Sequence, residues 1–564
     1  MSVGLSFDAR LENAADIVAR PVPGPGSHAP ARSVGRPWLM GPLPDLIFGC
    51  GLGYAALVLA LFVVRPDMAR LSPWLPFVIL VTGIPHYGAT LLRVYASREA
   101  RRLYAGAAFG STALIWGAFV LASYWPLLGA LLITIYLSWS PWHYAGQNYG
   151  LAMMFLGRRR LALPLPLRRL LRASFVFSFA LILLNLHRAS TQGAVDPSFA
   201  AGPQYGFLAF GFPDALVKVA FPTLAAAYLG CLVALAIGLR RVAGANLRAL
   251  LPCICLVATQ ALWFAIPAAV AHVAPNLLPL AGAPVAFIWI AVAHSVQYLW
   301  VTLAFAQNSG EAAPGSRGRL GYLQKTLLAG AAIWVVPALI FAPGALGRVP
   351  FDAGLGLLVA AAVNLHHFVL DQNIWRLRDP RIRRVLVAAG PAAPIPRAAR
   401  PRWSTLVFSA VGTLCAGIWM VTAWEQEFGH RRAAAAGDIE RVRRAADRLS
   451  WLGRDDAQVR VTLGRLEARR GNSAAALDQY QRSLALGPTA SAWAGIGDIR
   501  AARGDLAGAE AAFEKAVNLA PARLSLHRRL GEISAARETS RPGSGQAPSR
   551  CAGGLCPRAL PAGD

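Results

Sequence analysis

The chain is short of charge, and shorter still of acid. Only 15% of its 564 residues are Asp, Glu, Lys or Arg, and 28 acidic residues stand against 55 Lys and Arg. With 55% hydrophobic residues and a mean hydropathy of +0.45, so little charge excludes an ordinary soluble protein. Several catalytic signatures are missing too: there is no Gly-rich phosphate loop ahead of a helix, no His-Glu-x-x-His and no Ser nucleophile elbow. Residues 1–42 lack the charged-then-apolar pattern of a cleaved signal peptide, so the first apolar helix is expected to act as an uncleaved one. Thiolate metal sites are not suggested. Cys50, Cys231, Cys253, Cys255 and Cys415 lie in or beside apolar segments and read as small core residues. Cys551 and Cys556 sit in a Gly-rich tail, where pairing would need an oxidising compartment. The formal charge of +27 comes with no nucleic-acid recognition motif, so nucleic acid is not expected as a partner.

What is present is a series of apolar runs near the length of about 20 residues that crosses a bilayer. Eleven segments are expected as helices, near 44–64, 73–92, 103–123, 125–157, 169–188, 216–239, 248–271, 283–306, 323–343, 353–375 and 402–424. The fourth exceeds one span, which suggests a tilt or a break near Pro141. Arginines cluster after the even-numbered segments, as in Arg98–Arg102, Arg158–Arg160, Arg240–Arg241, Arg317–Arg319 and Arg376–Arg384, while the loops after odd-numbered segments carry few cations. Cytoplasmic loops are the basic ones. This alternation predicts a multi-pass protein of a bacterial-type inner membrane with a cytoplasmic N-terminus. With eleven spans it places the region after residue 424 outside.

Against this apolar background, histidine recurs at four sites: His86, His143, His294 and the pair His366–His367. All fall on even-numbered segments, which run in the same direction, and all lie in the middle or cytoplasmic half of their spans. Ionisable groups at such depth are expensive and normally face a bundle interior. At helical spacing Asn364, His367 and Asp371 share one face, continued by Trp375. Each histidine site has polar companions on its own side of the helix: Thr90 and Arg93 with His86, Gln147 one turn after His143, Gln297 and Tyr298 after His294, and Asp371 after His367. His86, His143, His294, His366 and His367 are therefore candidate metal ligands, with Asp371, Gln147 and Tyr298 as candidate catalytic groups. Imidazole with carboxylate suits iron, zinc or copper. Iron with open positions would allow oxygen chemistry on a lipophilic substrate, for which Trp142, Tyr144, Tyr149, Tyr298, Trp300 and Trp375 are candidate pocket walls. A lone His on a membrane helix is more often a helix–helix hydrogen-bond partner, and aromatic residues at helix ends usually form interfacial belts.

After Trp424 the composition turns Ala-, Arg- and Glu-rich. Leu463-Gly464, Gly471, Ala476, Tyr480 and Pro488 recur 33 residues later as Ile496-Gly497, Gly504, Ala509, Phe513 and Pro521. These residues resemble the tetratricopeptide repeat, which implies an α-solenoid over 431–538 that recruits a protein or peptide partner. Residues 539–564 are expected to be a disordered tail, like 1–42. In the apolar part, Gly83-Ile84-Pro85-His86-Tyr87-Gly88 and Ser138-Trp139-Ser140-Pro141-Trp142-His143-Tyr144 resemble the first two histidine motifs of the bacterial and archaeal membrane β-carotene dioxygenases. That resemblance implies iron held by histidines on transmembrane helices. The chain departs from the pattern where Tyr298 replaces a second histidine four residues after His294, and where Gln147 or Asn148 stands in place of an acidic residue.

The expected fold is thus all-α: a transmembrane bundle of about eleven helices over 43–424, then a soluble helical-repeat domain. Two functions compete. One is a metal-dependent, iron-type oxygenase for a lipophilic substrate; the other is a non-enzymatic scaffold or transporter whose polar sites stabilise packing or pass a proton or solute. Lipid-linked glycosyl transfer would require acidic residues in the early external loops, where only Asp67 is available.

Overall fold

In the computed structural model, residues 37–64, 72–95, 98–189, 205–244, 246–273, 284–313, 315–388, 402–521 and 523–540 are described. Most of the two expected tails, with His28, Cys551 and Cys556, lies outside them. Every described element is helical and no strand occurs among the described residues. Contacts divide the chain into two units, Met1–Asp456 and Ala457–Asp564.

The first unit holds a helix at each of the eleven expected segments. They are α1 (Leu52–Val64, entered through a bent turn at Pro42–Gly49), α2 (Leu75–Tyr95), α3 (Gly106–Ala122), α4 (Pro126–Arg158), α5 (Leu165–Leu186), α6 (Asp214–Ala243), α7 (Leu247–Val273), α8 (Pro284–Asn308), α9 (Gly315–Ile340), α10 (Phe351–Ile374) and α11 (Arg402–Trp424). Eight of them, α2 and α5 to α11, are long and apolar enough to cross a membrane; a ninth follows if the bent entry and α1 form one span. The two that fall short of an expected eleven have visible reasons. The α3 helix is shorter, and the middle of α4 is occupied by Ser138, Ser140, His143, Gln147 and Asn148. No break occurs at Pro141, since α4 runs unbroken through it for 33 residues, or about 50 Å at the usual helical rise.

The helices differ sharply in how much of them is enclosed. For α10, 94% of the apolar stretch lies inside the protein, against 22% for α6. The α10 helix packs against α2, α3, α4 and α9. Its run Ala360-Ala361-Ala362 is what permits this, because small residues let helix backbones approach where no hydrophobic effect drives them together. Close approach also fixes α2 against α9. A Cβ on Gly88 would collide with the carbonyl of Thr326, and one on Gly330 with the carbonyl of Ile84. His86 lies between those two contact points on α2. Within α2 the chain turns at Thr82, and Pro85 falls in the first turn of the segment that follows, where its missing N–H has no intrahelical partner to lose.

The second unit consists of α13 (Ala457–Arg469), α14 (Ser473–Leu486), α15 (Ala490–Ala502), α16 (Leu506–Leu519) and α17 (Leu524–Thr539), each packed on its chain neighbour. The helix preceding it, α12 (Ile439–Trp451), belongs to the first unit. The 33-residue recurrence in sequence is also a recurrence in packing. Gly464 leaves room for the ring of Tyr480, and Gly497 does the same for the ring of Phe513.

Candidate metal centre

Four helices bring His86 (α2), His143 (α4), His294 (α8) and His367 (α10) into one group. Ring centroids stand 4.2 Å apart for His86 and His367, 5.0 Å for His86 and His294, 5.1 Å for His143 and His294, and 5.2 Å for His143 and His367. All four are buried, none more than 7% exposed. Asp371 joins them one turn below His367, with Oδ2 3.8 Å from His143 Nε2, too long for a hydrogen bond. Two overlapping sets of ligand atoms result, each within 4.8 Å of one another: His86, His294 and His367, and His143, His367 and Asp371. His367 belongs to both.

Five nitrogens of these histidines have no hydrogen-bond partner. His86 Nε2, His143 Nε2, both nitrogens of His294 and His367 Nε2 are buried and make no hydrogen bond. An unsatisfied buried polar atom costs about 1–3 kcal/mol, so five would approach the total stability of about 5–15 kcal/mol typical of a folded domain. The donors are soft-to-intermediate imidazoles with a single carboxylate, which suits a divalent transition metal, and the residues fit such an ion. Aromatic rings close the group off. Phe368 stacks on His143 at 4.3 Å and Tyr144 on His294 at 4.1 Å.

Around the ligand atoms runs a second layer of hydrogen bonds. Tyr298 donates to Asp371 Oδ1 at 2.6 Å and accepts from Trp375 Nε1 at 3.0 Å. The Thr90 hydroxyl lies 2.6 Å from the Tyr298 hydroxyl and 2.9 Å from His367 Nδ1. Tyr87 donates to Asn364 Oδ1 at 2.9 Å. The face of α10 read from spacing, Asn364, His367, Asp371 and Trp375, is the face that meets the group.

Two of the sequence candidates are not brought into the group. His366 is adjacent to His367 on a helix, hence turned about 100° away. Its Nε2 lies 2.8 Å from Thr112 Oγ1 and 3.3 Å from the Tyr95 hydroxyl, in a separate pocket beside α3. Gln147 bonds Gln297 Oε1 at 2.7 Å and joins an amide cluster instead. Of the aromatic candidates, Tyr144, Tyr298 and Trp375 border the group. Trp142 packs on Phe179, Tyr149 on Phe175 and Trp300 on Phe155. Spacing places Thr90 on the His86 side of its helix and Tyr87 within the first histidine motif, yet marks neither as a site residue, and it misses Phe368. Tyr87 and Phe368 each directly follow a site histidine, a signal that was there to use.

Of the histidines outside the group, His272 Nδ1 and His430 Nε2 are likewise buried without a hydrogen bond, whereas His187 is fully paired. His187 accepts from the Phe210 amide at 3.1 Å, faces Ser138 Oγ at 2.9 Å and stacks on Phe210, which leaves neither nitrogen unpaired. No protein-family model matches this chain, and no curated protein or solved structure matches it significantly.

Proposed function

We propose that the first unit is a membrane metalloenzyme, an iron-type oxidoreductase acting on a lipophilic substrate. The observation that carries this is the convergence of five unpartnered imidazole nitrogens from four helices, with one carboxylate, inside an apolar bundle. In this reading His86, His143, His294 and His367 hold the ion and Asp371 completes or orients the set. Bound iron would supply oxygen activation. The chain's own residues do the rest: Phe368 and Tyr144 keep water from the imidazoles, Tyr298 and Trp375 aim the carboxylate, and enclosure at membrane depth restricts entry to molecules that arrive through lipid. The resemblance of the Pro85-His86-Tyr87 and Pro141-Trp142-His143-Tyr144 stretches to membrane β-carotene dioxygenases supports iron over zinc or copper.

For the second unit we infer tetratricopeptide-type repeats that bind a protein partner, supported by the repeated glycine–aromatic packing of Gly464 with Tyr480 and Gly497 with Phe513. If all eleven helices cross the membrane, the N-terminus is cytoplasmic and this unit lies outside.

The test is elemental analysis of detergent-purified protein beside a His143→Ala, His367→Ala double variant. Near-stoichiometric iron in the wild type, absent from the variant, is the expected result. A folded, iron-supplied wild type without metal would return the histidines to helix packing and leave a scaffold or transporter as the function.

A further inference from the structure

Threonine hydroxyls in this membrane unit are mostly spent on their own helices. Thr82 bonds the Val78 carbonyl, Thr134 that of Ala130, Thr223 that of Val219 and Thr326 that of Leu323. This is the usual resting place for a threonine inside a helix. Thr90, in mid-helix and 1% exposed, instead turns its hydroxyl to Tyr298 and His367.

The protons in that chain can be assigned one by one. Trp375 Nε1 carries a hydrogen and no acceptor, so it donates to the Tyr298 oxygen. Tyr298 has one hydrogen, and it goes to the Asp371 carboxylate. The 2.6 Å contact between Thr90 and Tyr298 must then use the hydrogen of Thr90. With its hydrogen committed, the Thr90 oxygen is an acceptor toward His367, which must carry its proton on Nδ1. That leaves a bare lone pair on Nε2, the buried nitrogen of His367 that has no partner.

We infer that Thr90 is a positioning residue that sets the tautomer of His367 and so presents its Nε2 as the ligand common to both sets. The inference rests on the metal reading above. One chain, Trp375–Tyr298–Thr90, thereby orients two ligands at once, the carboxylate of Asp371 and the imidazole of His367. Outer partners of this kind typically change metal affinity by about ten- to hundredfold when removed.

The probe is cobalt(II) alone, titrated into the purified full-length protein and followed by its visible ligand-field absorption, which reports affinity and coordination without any turnover. Thr90→Val, which keeps the shape and removes the hydroxyl, is expected to raise the cobalt Kd about ten- to hundredfold and to shift the bands. Thr90→Ser restores the hydroxyl and is expected to restore both. Thr326→Val, an equally buried threonine that bonds its own helix, is expected to change neither. Cobalt binding by Thr90→Val with wild-type affinity and bands would overturn the inference, as would an equal loss in Thr326→Val. If Thr90→Val does not fold, Tyr298→Phe carries the test: it removes the acceptor that directs Thr90, and an unchanged spectrum and affinity would overturn the inference. A wild type that binds no cobalt would instead contradict the metal reading itself, whereas wild-type binding that Thr90→Val leaves untouched would spare that reading.

Discussion

One helical turn separates two buried polar clusters on α4 and α8, and they meet the demands of burial in opposite ways. The first starts at Gln147, which donates to Gln297 Oε1 at 2.7 Å. Gln297 donates to Asn148 Oδ1 and to the Gly49 carbonyl, both at 2.9 Å. Asn148 donates to Gln260 at 2.9 Å, and Gln260 to Ser178 at 2.7 Å. Amides carry both donors and acceptors, so a chain of them can close on itself. Only Gln147 Oε1 is left over in this cluster. The second cluster, starting one turn earlier at His143 and His294, leaves five nitrogens open. The amide cluster ties together α4, α5, α7, α8 and the turn at Pro42–Gly49 with nothing added. In the proposed reading, an ion would complete the histidine cluster. The two clusters thus differ in the balance of donors and acceptors, and not in polarity or depth.

Variants can break that contrast, beginning with the largest effect. His367→Ala removes the ligand shared by both sets and is expected to strip the metal to background, measured by elemental analysis. Asn148→Leu leaves a donor of Gln297 and the acceptor of Gln260 unpaired. At about 1–3 kcal/mol per orphaned group it should lower stability by about 2–6 kcal/mol. It should unfold several degrees earlier in a thermal melt yet keep its metal per folded chain. His366→Ala is the mildest. It loses hydrogen bonds to Thr112 and Tyr95 worth about 1 kcal/mol and should hold metal as the wild type does. Loss of metal in His366→Ala would mean that the pocket beside α3 is part of the centre.

Much of this was legible in the sequence, and the failures are physical ones. Histidines that interrupt long apolar runs are costly enough to stand out, and the 3.6-residue period placed Asn364, His367, Asp371 and Trp375 on one face. Period alone did not decide between His366 and His367, because both lie in a helix buried on nearly every side. The fate of Gln147 depended on partners from α7 and α8 that no local pattern reveals. Spacing set Thr90 on the side of His86 but gave no sign of its bond to His367, since a threonine in a membrane helix ordinarily bonds its own backbone and only the tertiary structure shows that this one does not. The span count suffered from the same chemistry that makes the site: the polar residues in the middle of α4 lower its hydropathy below that of its neighbours.

The most direct measurement is the metal content per folded chain of the wild type, His367→Ala and Asn148→Leu, purified in parallel from iron-supplied cells. About one ion is expected in the wild type, none in His367→Ala and an undiminished amount in the less stable Asn148→Leu. Equal metal content in the wild type and His367→Ala, whether none or one, would contradict the metal reading.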